Sequence, residues 1–143
     1  MRPLSCLSCR FRAVVAVVVF GVSGCGADDD PKQVCLDSSR AADSFPPPPA
    51  EVTDQVQADC LDAGLPDHDC NPANYITQGQ AECIVRASDP PSGEWRVSLV
   101  FAAKTKRPIW NVRIDVGGGT AQHFGVDAIT GDIVKRSTST AVE

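Results

Sequence analysis

From Trp95 onward, apolar and polar residues alternate with the period of a β-strand. Trp95, Val97, Leu99 and Phe101 fall on one face, and Arg96, Ser98 and Val100 on the other. The polar break Lys104-Thr105-Lys106-Arg107-Pro108 precedes a second run, in which Trp110, Val112, Ile114 and Val116 alternate with Asn111, Arg113 and Asp115. Successive side chains of a strand point to opposite faces, so each run predicts one core face and one wet face. Gly117-Gly118-Gly119 predicts a tight reversal, because glycine takes positive φ at no steric cost. A third run over residues 123–128 has Phe124, Val126 and Ala128 in phase. Residues 127–132 then turn the chain into a short last strand at Ile133-Val134.

Upstream the period is helical. Val52, Val56 and Cys60 make one stripe over residues 51–63, and Gly64 and Pro66 end it. Residues 67–74 are turn-rich. Thr77-Gln78-Gly79-Gln80 is a capping-box pattern, with Ile76 placed to pack on Ala81 as a hydrophobic staple. Ala81, Ile84 and Val85 continue the apolar face until Ser88-Asp89-Pro90-Pro91 stops the helix. This second helix leads directly into the sheet, and its apolar side is expected to cover the Trp95/Trp110 face. The expected fold is α+β, with one or two helices packed on a three- to four-stranded antiparallel β-meander.

The N-terminal end has a different character. Arg2, Arg10 and Arg12 precede an apolar run from Ala13 to Val22. That run is too short to cross a ~30 Å hydrocarbon core as a helix, which takes roughly 20 apolar residues. It fits the apolar region of a secretory signal. Val22-Ser23-Gly24-Cys25 closes it and resembles the bacterial lipobox, with valine in place of the usual leucine. The resemblance implies cleavage before Cys25 and a diacylglyceryl group on its sulfur. Residues 1–24 are accordingly expected to be a lipoprotein signal peptide and residues 25–50 an acidic, proline-rich tether. Residues 51–136 would form the domain and residues 137–143 a tail. Residues 26–33 are expected to be an unstructured spacer. Pro46-Pro47-Pro48-Pro49 adds a stiff polyproline stretch, better suited to a spacer or helix lead-in than to docking in a partner's groove.

Charge and cysteine usage narrow the function classes. Residues 28–94 carry 14 acidic and three basic side chains, net −11, whereas residues 95–143 carry seven basic and four acidic, net +3. Clustered arginine and lysine interleaved with aromatics is absent, so no nucleic-acid partner is expected. Of the seven cysteines, Cys6 and Cys9 leave with the signal and Cys25 carries lipid. Cys35, Cys60, Cys70 and Cys83 remain in an exported, oxidising compartment, which points to two disulfides among three connectivities. The alternative is a Zn site using Asp67-His68-Asp69-Cys70, but the ligand spacing matches no Cys/His finger. The mature chain has no C-x-x-C for thiol redox catalysis, no G-x-S-x-G elbow and no phosphate-binding loop. His68 and His123 read as a turn and a strand-edge side chain. No catalytic residue, metal ligand or cofactor is expected.

Three segments carry a family resemblance: the helix with Ile76-Thr77-x-x-Gln80-Ala81, the strands opening Trp95-Arg96-Val97 and Trp110-Asn111-Val112-Arg113-Ile114, and the end Gly125-Val126-Asp127-Ala128-Ile129-Thr130-Gly131-Asp132-Ile133-Val134. Together they resemble the PepSY domain of peptidase propeptides, over residues 74–136, less than half of the chain. The turn signature centres on Asp127, Thr130 and Gly131, with Asp127 accepting from turn amides and Gly131 supplying positive φ. Many members carry an aromatic residue or valine where Gly125 stands, which implies a bulge in the third strand here. The cysteine-rich lead-in is not part of the family pattern. The resemblance implies a noncatalytic module that restrains peptidases or binds partners at the envelope. The expectation is therefore a bacterial envelope lipoprotein, membrane-bound by its lipid on the periplasmic or surface face. Its partner would be an envelope protein or peptidase. The alternative is a structural or assembly lipoprotein with no peptidase target.

Overall fold

The computed structural model of the chain describes residues 30–38 and 45–141. Four antiparallel strands pair in chain order: β1 (Glu94–Ala102), β2 (Arg107–Gly117), β3 (Thr120–Asp127) and β4 (Ile133–Thr140). Ahead of them among the described residues come α1 (Pro31–Asp37), α2 (Ala50–Asp62), α3 (Asp67–Cys70), a 3₁₀ turn (Pro72–Asn74) and α4 (Gln78–Ala87). The architecture is the expected α+β one, a four-stranded meander with helices packed on one face.

The core forms where the two periodicities meet. Leu99 of β1, Trp110, Val112 and Ile114 of β2, and Phe124 and Val126 of β3 pack against Val56 of α2 and Ala81, Ile84 and Val85 of α4. The Trp110 indole donates from Nε1 to the Ile76 carbonyl at 2.8 Å, so burying this ring leaves no unpaired donor. The capping box closes as the sequence requires. Thr77 Oγ1 accepts from the Gln80 amide at 3.2 Å, and Gln80 Oε1 accepts from the Thr77 amide at 2.8 Å. The three-glycine reversal is also present, with φ of 93°, 59° and 71° at Gly117, Gly118 and Gly119.

Four expectations need correction. Val116 continues the apolar phase of β2 in the sequence, yet it is 37% exposed. The β2–β3 register shifts between Asp115 and Gly117, which takes Val116 out of phase with the core. Second, the last strand is not confined to Ile133-Val134, nor do residues 137–143 start a tail. β4 runs on to Thr140, held by backbone pairing to β3, while seven of its eight side chains are exposed. A strand in solvent on both faces has no apolar alternation for the sequence to show. Third, the expected tether is partly folded: α1 begins at Pro31 inside the supposed spacer. Asp30 caps it, its Oδ1 accepting from the Lys32 amide at 3.0 Å, and Pro31 stands at the first helical turn, where its missing N–H costs nothing. Fourth, the bulge expected in the third strand falls on its neighbour: Gly125 pairs with Lys135 and Val126 with Ile133, so the extra residue is Val134 of β4, opposite Gly125. A Cβ on Gly125 would lie 3.0 Å from Lys135 Cβ and 3.3 Å from Ile109 Cδ1, so close contact with the neighbouring strands favours glycine.

The signal segment and the lipidation candidate Cys25 lie outside the described residues. Among the described residues no helix is long and apolar enough to cross a membrane.

Candidate functional site

The turn at residues 127–132 is where the fold converges. Asp127, 2% exposed, accepts at Oδ1 from the amides of Ile129 at 2.8 Å and Thr130 at 3.0 Å, as its place in the turn suggests. Its second oxygen receives Arg107 Nη1 at 3.0 Å, a partner the sequence did not mark because Arg107 sits in the polar break before β2. Thr130 donates from Oγ1 to Asp132 Oδ2 at 2.8 Å. Gly131 takes φ 74°, and a Cβ there would stand 3.2 Å from both Ile84 of α4 and Leu36 of α1. The flanking Ala128 receives the Ile76 amide at its carbonyl at 2.8 Å and donates its own amide to Pro108 at 2.9 Å. All three signature residues thus act on the backbone and its packing.

α1 docks on that turn. Lys32 Nζ lies 2.8 Å from Asp132 Oδ1, and this hydrogen bond raises the lysine's pKa. The same bond, with Thr130 adding, lowers that of Asp132. Gln80 Nε2 donates to the Leu36 carbonyl at 2.8 Å, and Cys35 is bonded to Cys83 of α4. The second disulfide joins Cys60 of α2 to Cys70 of α3. The four cysteines left open by the sequence therefore resolve into one of three connectivities, and Cys70 sulfur is not a free thiolate for the Asp67-His68-Asp69 cluster. Among the described residues no three histidine, cysteine or carboxylate side chains group as metal ligands.

Two further places could carry chemistry. A cleft of about 200 Å³ opens beside Trp110 and Leu99, with Tyr75 and the Pro46-Pro47-Pro48 stretch among its walls. The proline run thus lies along this domain's own aromatic surface. Tyr75 Oη is buried without a hydrogen-bond partner, and burial, reinforced by the Asp69 charge, raises its pKa. On the outer face of the sheet, Arg96, Arg113 and His123 stand in register across β1, β2 and β3. His123 Nε2 is 2.9 Å from Ser139 Oγ, a pairing invisible in the sequence because it spans β3 and β4. Among the described residues no carboxylate hydrogen-bonds to the His123 ring to complete a nucleophile–base–acid array. The carboxylate bearing on that row, Asp115, is held by Arg113 at 2.9 and 2.7 Å, which keeps it ionised with a lowered pKa.

The remaining feature is an edge. β1 and β4 flank the sheet; α2 lies against β1, whereas β4 pairs with β3 alone. Arg136 of β4 reaches back to Ser88 at the end of α4, at 3.2 Å to its carbonyl and 3.0 Å to its hydroxyl, and stacks 4.8 Å over Phe124. That contact fixes the start of the strand, and among the described residues no strand pairs with its outer side. Compared with known proteins, the chain matches no family model, no curated protein and no solved structure.

Proposed function

We propose that this chain is a noncatalytic, lipid-anchored envelope protein whose PepSY-like domain binds an extended segment of another envelope protein, with a restrained peptidase as the leading partner. The observation that carries the binding reading is β4: eight residues, without proline or glycine, along a sheet edge open to solvent on both faces. The bulge at Val134, with Lys135 and Arg136, blunts its first half as natural edges usually are blunted, which leaves the uncharged residues 137–140 with outward amides and carbonyls to accept a further strand. Strand addition there supplies affinity through the main chain, and the serine- and threonine-rich faces of β4 suit a polar partner. A noncatalytic role is supported by the signature residues, whose polar atoms are spent on the turn and on Arg107.

Photo-crosslinking side chains at Thr138 and, as a control, at Asp62 test this reading in native membranes. Crosslinks confined to Thr138, in a stoichiometric complex with no peptide turnover by the purified protein, are expected. Equal crosslinking from both positions, or turnover by the purified chain, would overturn it. A crosslinked partner without peptidase activity would favour the assembly role.

A further inference from the structure

A flexible tether from a lipidated Cys25 to the sheet would leave the domain free to range far from the bilayer. α1 interrupts that tether. The Cys35–Cys83 bond, the Lys32–Asp132 ion pair at 2.8 Å and the Gln80–Leu36 hydrogen bond at 2.8 Å all fasten it to α4 and the 127–132 turn. We propose that the Cys35–Cys83 bridge is where the membrane leash ends, so that the α1 end of the domain is held at the bilayer surface and β4 is offered to a membrane-bound partner. This inference rests on the reading of Cys25 as the acylated N-terminus.

Covalent geometry sets the reach. A chain spans at most ~3.3–3.6 Å per residue, so the five steps from Cys25 to Asp30 reach at most about 18 Å. Were α1 undocked and the leash to run on to Ala50, its 25 steps would reach about 90 Å. The difference decides what the domain can meet. Asp30, Pro31 and Lys32 share a shallow recess with Asp132 and Ile133, so β4 starts beside the point where the leash arrives. At ~3.4 Å per residue β4 is about 27 Å long, which places its whole free edge within about 50 Å of the lipid headgroups. The partner that fits is a membrane-proximal extended segment of a second membrane-bound protein.

The test uses the full, lipidated chain in vesicles of phosphatidylethanolamine and phosphatidylglycerol. Energy transfer from Trp95 and Trp110 to a dansyl-labelled lipid reports the height of the domain. A Gly/Ser insertion of roughly ten residues between Ser38 and Phe45 lies beyond the bridge and should leave transfer unchanged; the same insertion between Cys25 and Asp30 should lower it about twofold or more. With Cys35→Ala and Cys83→Ala combined, the insertion after Ser38 should lower transfer as well. If in the oxidised protein both insertions lower transfer equally, the leash does not end at the bridge and the inference is overturned. The intact mass of the same preparation separates the two failures. An acylated chain with that result overturns the leash alone, whereas an unacylated chain overturns the anchor and the leash together.

Discussion

At the scale of single residues, Asp127 shows how one buried carboxylate can organise a turn and tie it to a neighbouring strand. It holds two turn amides and Arg107, so Asp127→Ala removes three acceptor contacts and should cost about 2–4 kcal/mol in denaturant unfolding. Asp127→Asn keeps an acceptor for the two amides and should cost less. A loss of under about 0.5 kcal/mol for the alanine variant would contradict the role given to the turn. Tyr75 is the opposite case, a buried hydroxyl with no partner. Tyr75→Phe should leave the domain as stable or up to about 1 kcal/mol more stable at neutral pH. The sign of its pH dependence follows from burial. With the folded-state pKa raised, the unfolded chain ionises first, so stability falls as pH rises from the ordinary tyrosine value toward the folded one. Melting curves above pH 9 should show that decline in the parent protein and a smaller one in Tyr75→Phe. At this scale the sequence was informative wherever a residue acts on its own backbone, as Asp127 and Gly131 do. It was silent on Arg107 and Ser139, whose partners lie far along the chain and announce themselves by no spacing, and on Tyr75, whose hydroxyl is buried by tertiary packing.

Among the elements, the two that escaped the sequence, α1 and most of β4, share a cause. Each shows little apolar periodicity, because α1 contributes chiefly Cys35 and Leu36 to the interior and β4 lies in solvent on both sides. They are held by tertiary contacts instead: a disulfide and an ion pair for α1, backbone pairing and Arg136 for β4. α2, α4 and the first three strands were legible because each buries a regular stripe. The two disulfides should differ in weight. Cys35–Cys83 spans a separation of 48 residues and Cys60–Cys70 one of 10, and loop-closure entropy assigns about 4 and about 2.7 kcal/mol respectively. Paired cysteine-to-alanine variants, compared by guanidinium unfolding, should keep that order. Access separates them too. Cys60 and Cys70 are both 0% exposed while Cys83 is only partly buried, so dithiothreitol under native conditions should open the Cys35–Cys83 bond first. Peptide mapping after alkylation would show it, and labelling of Cys60 and Cys70 first would contradict it. The Lys32–Asp132 pair makes α1 docking sensitive to acid. Asp132 contributes above the ordinary carboxylate pKa and loses its contribution as pH falls through its lowered folded value. Lys32 contributes below the ordinary lysine pKa and loses its share as pH rises through its raised one. Hydrogen exchange of the α1 amides should therefore accelerate, relative to those of β2, at the acid end first.

For the whole molecule, the acidic N-terminal half and the nearly neutral sheet separate into a stapled helical layer and a meander that ends, among the described residues, in the edge strand β4. A layer this small needs its cross-links. Both disulfides lie among the helices, Cys35–Cys83 joining α1 to α4 and Cys60–Cys70 joining α2 to α3, whereas the sheet is held by the interleaved strand contacts of its core. The α+β architecture could be read from alternating and helical periods alone, but how far α1 draws the chain toward the anchor could not, since the spacing of Cys35 and Cys83 admits other pairings. The measurement that bears most directly on a doubly stapled, lipid-anchored module is the intact mass of the mature protein from native membranes, alkylated with and without prior reduction. The expected mass begins at Cys25 with acyl groups attached, takes up no alkyl group before reduction, and takes up four after it. An unacylated chain, or cysteines alkylated without reduction, would contradict it.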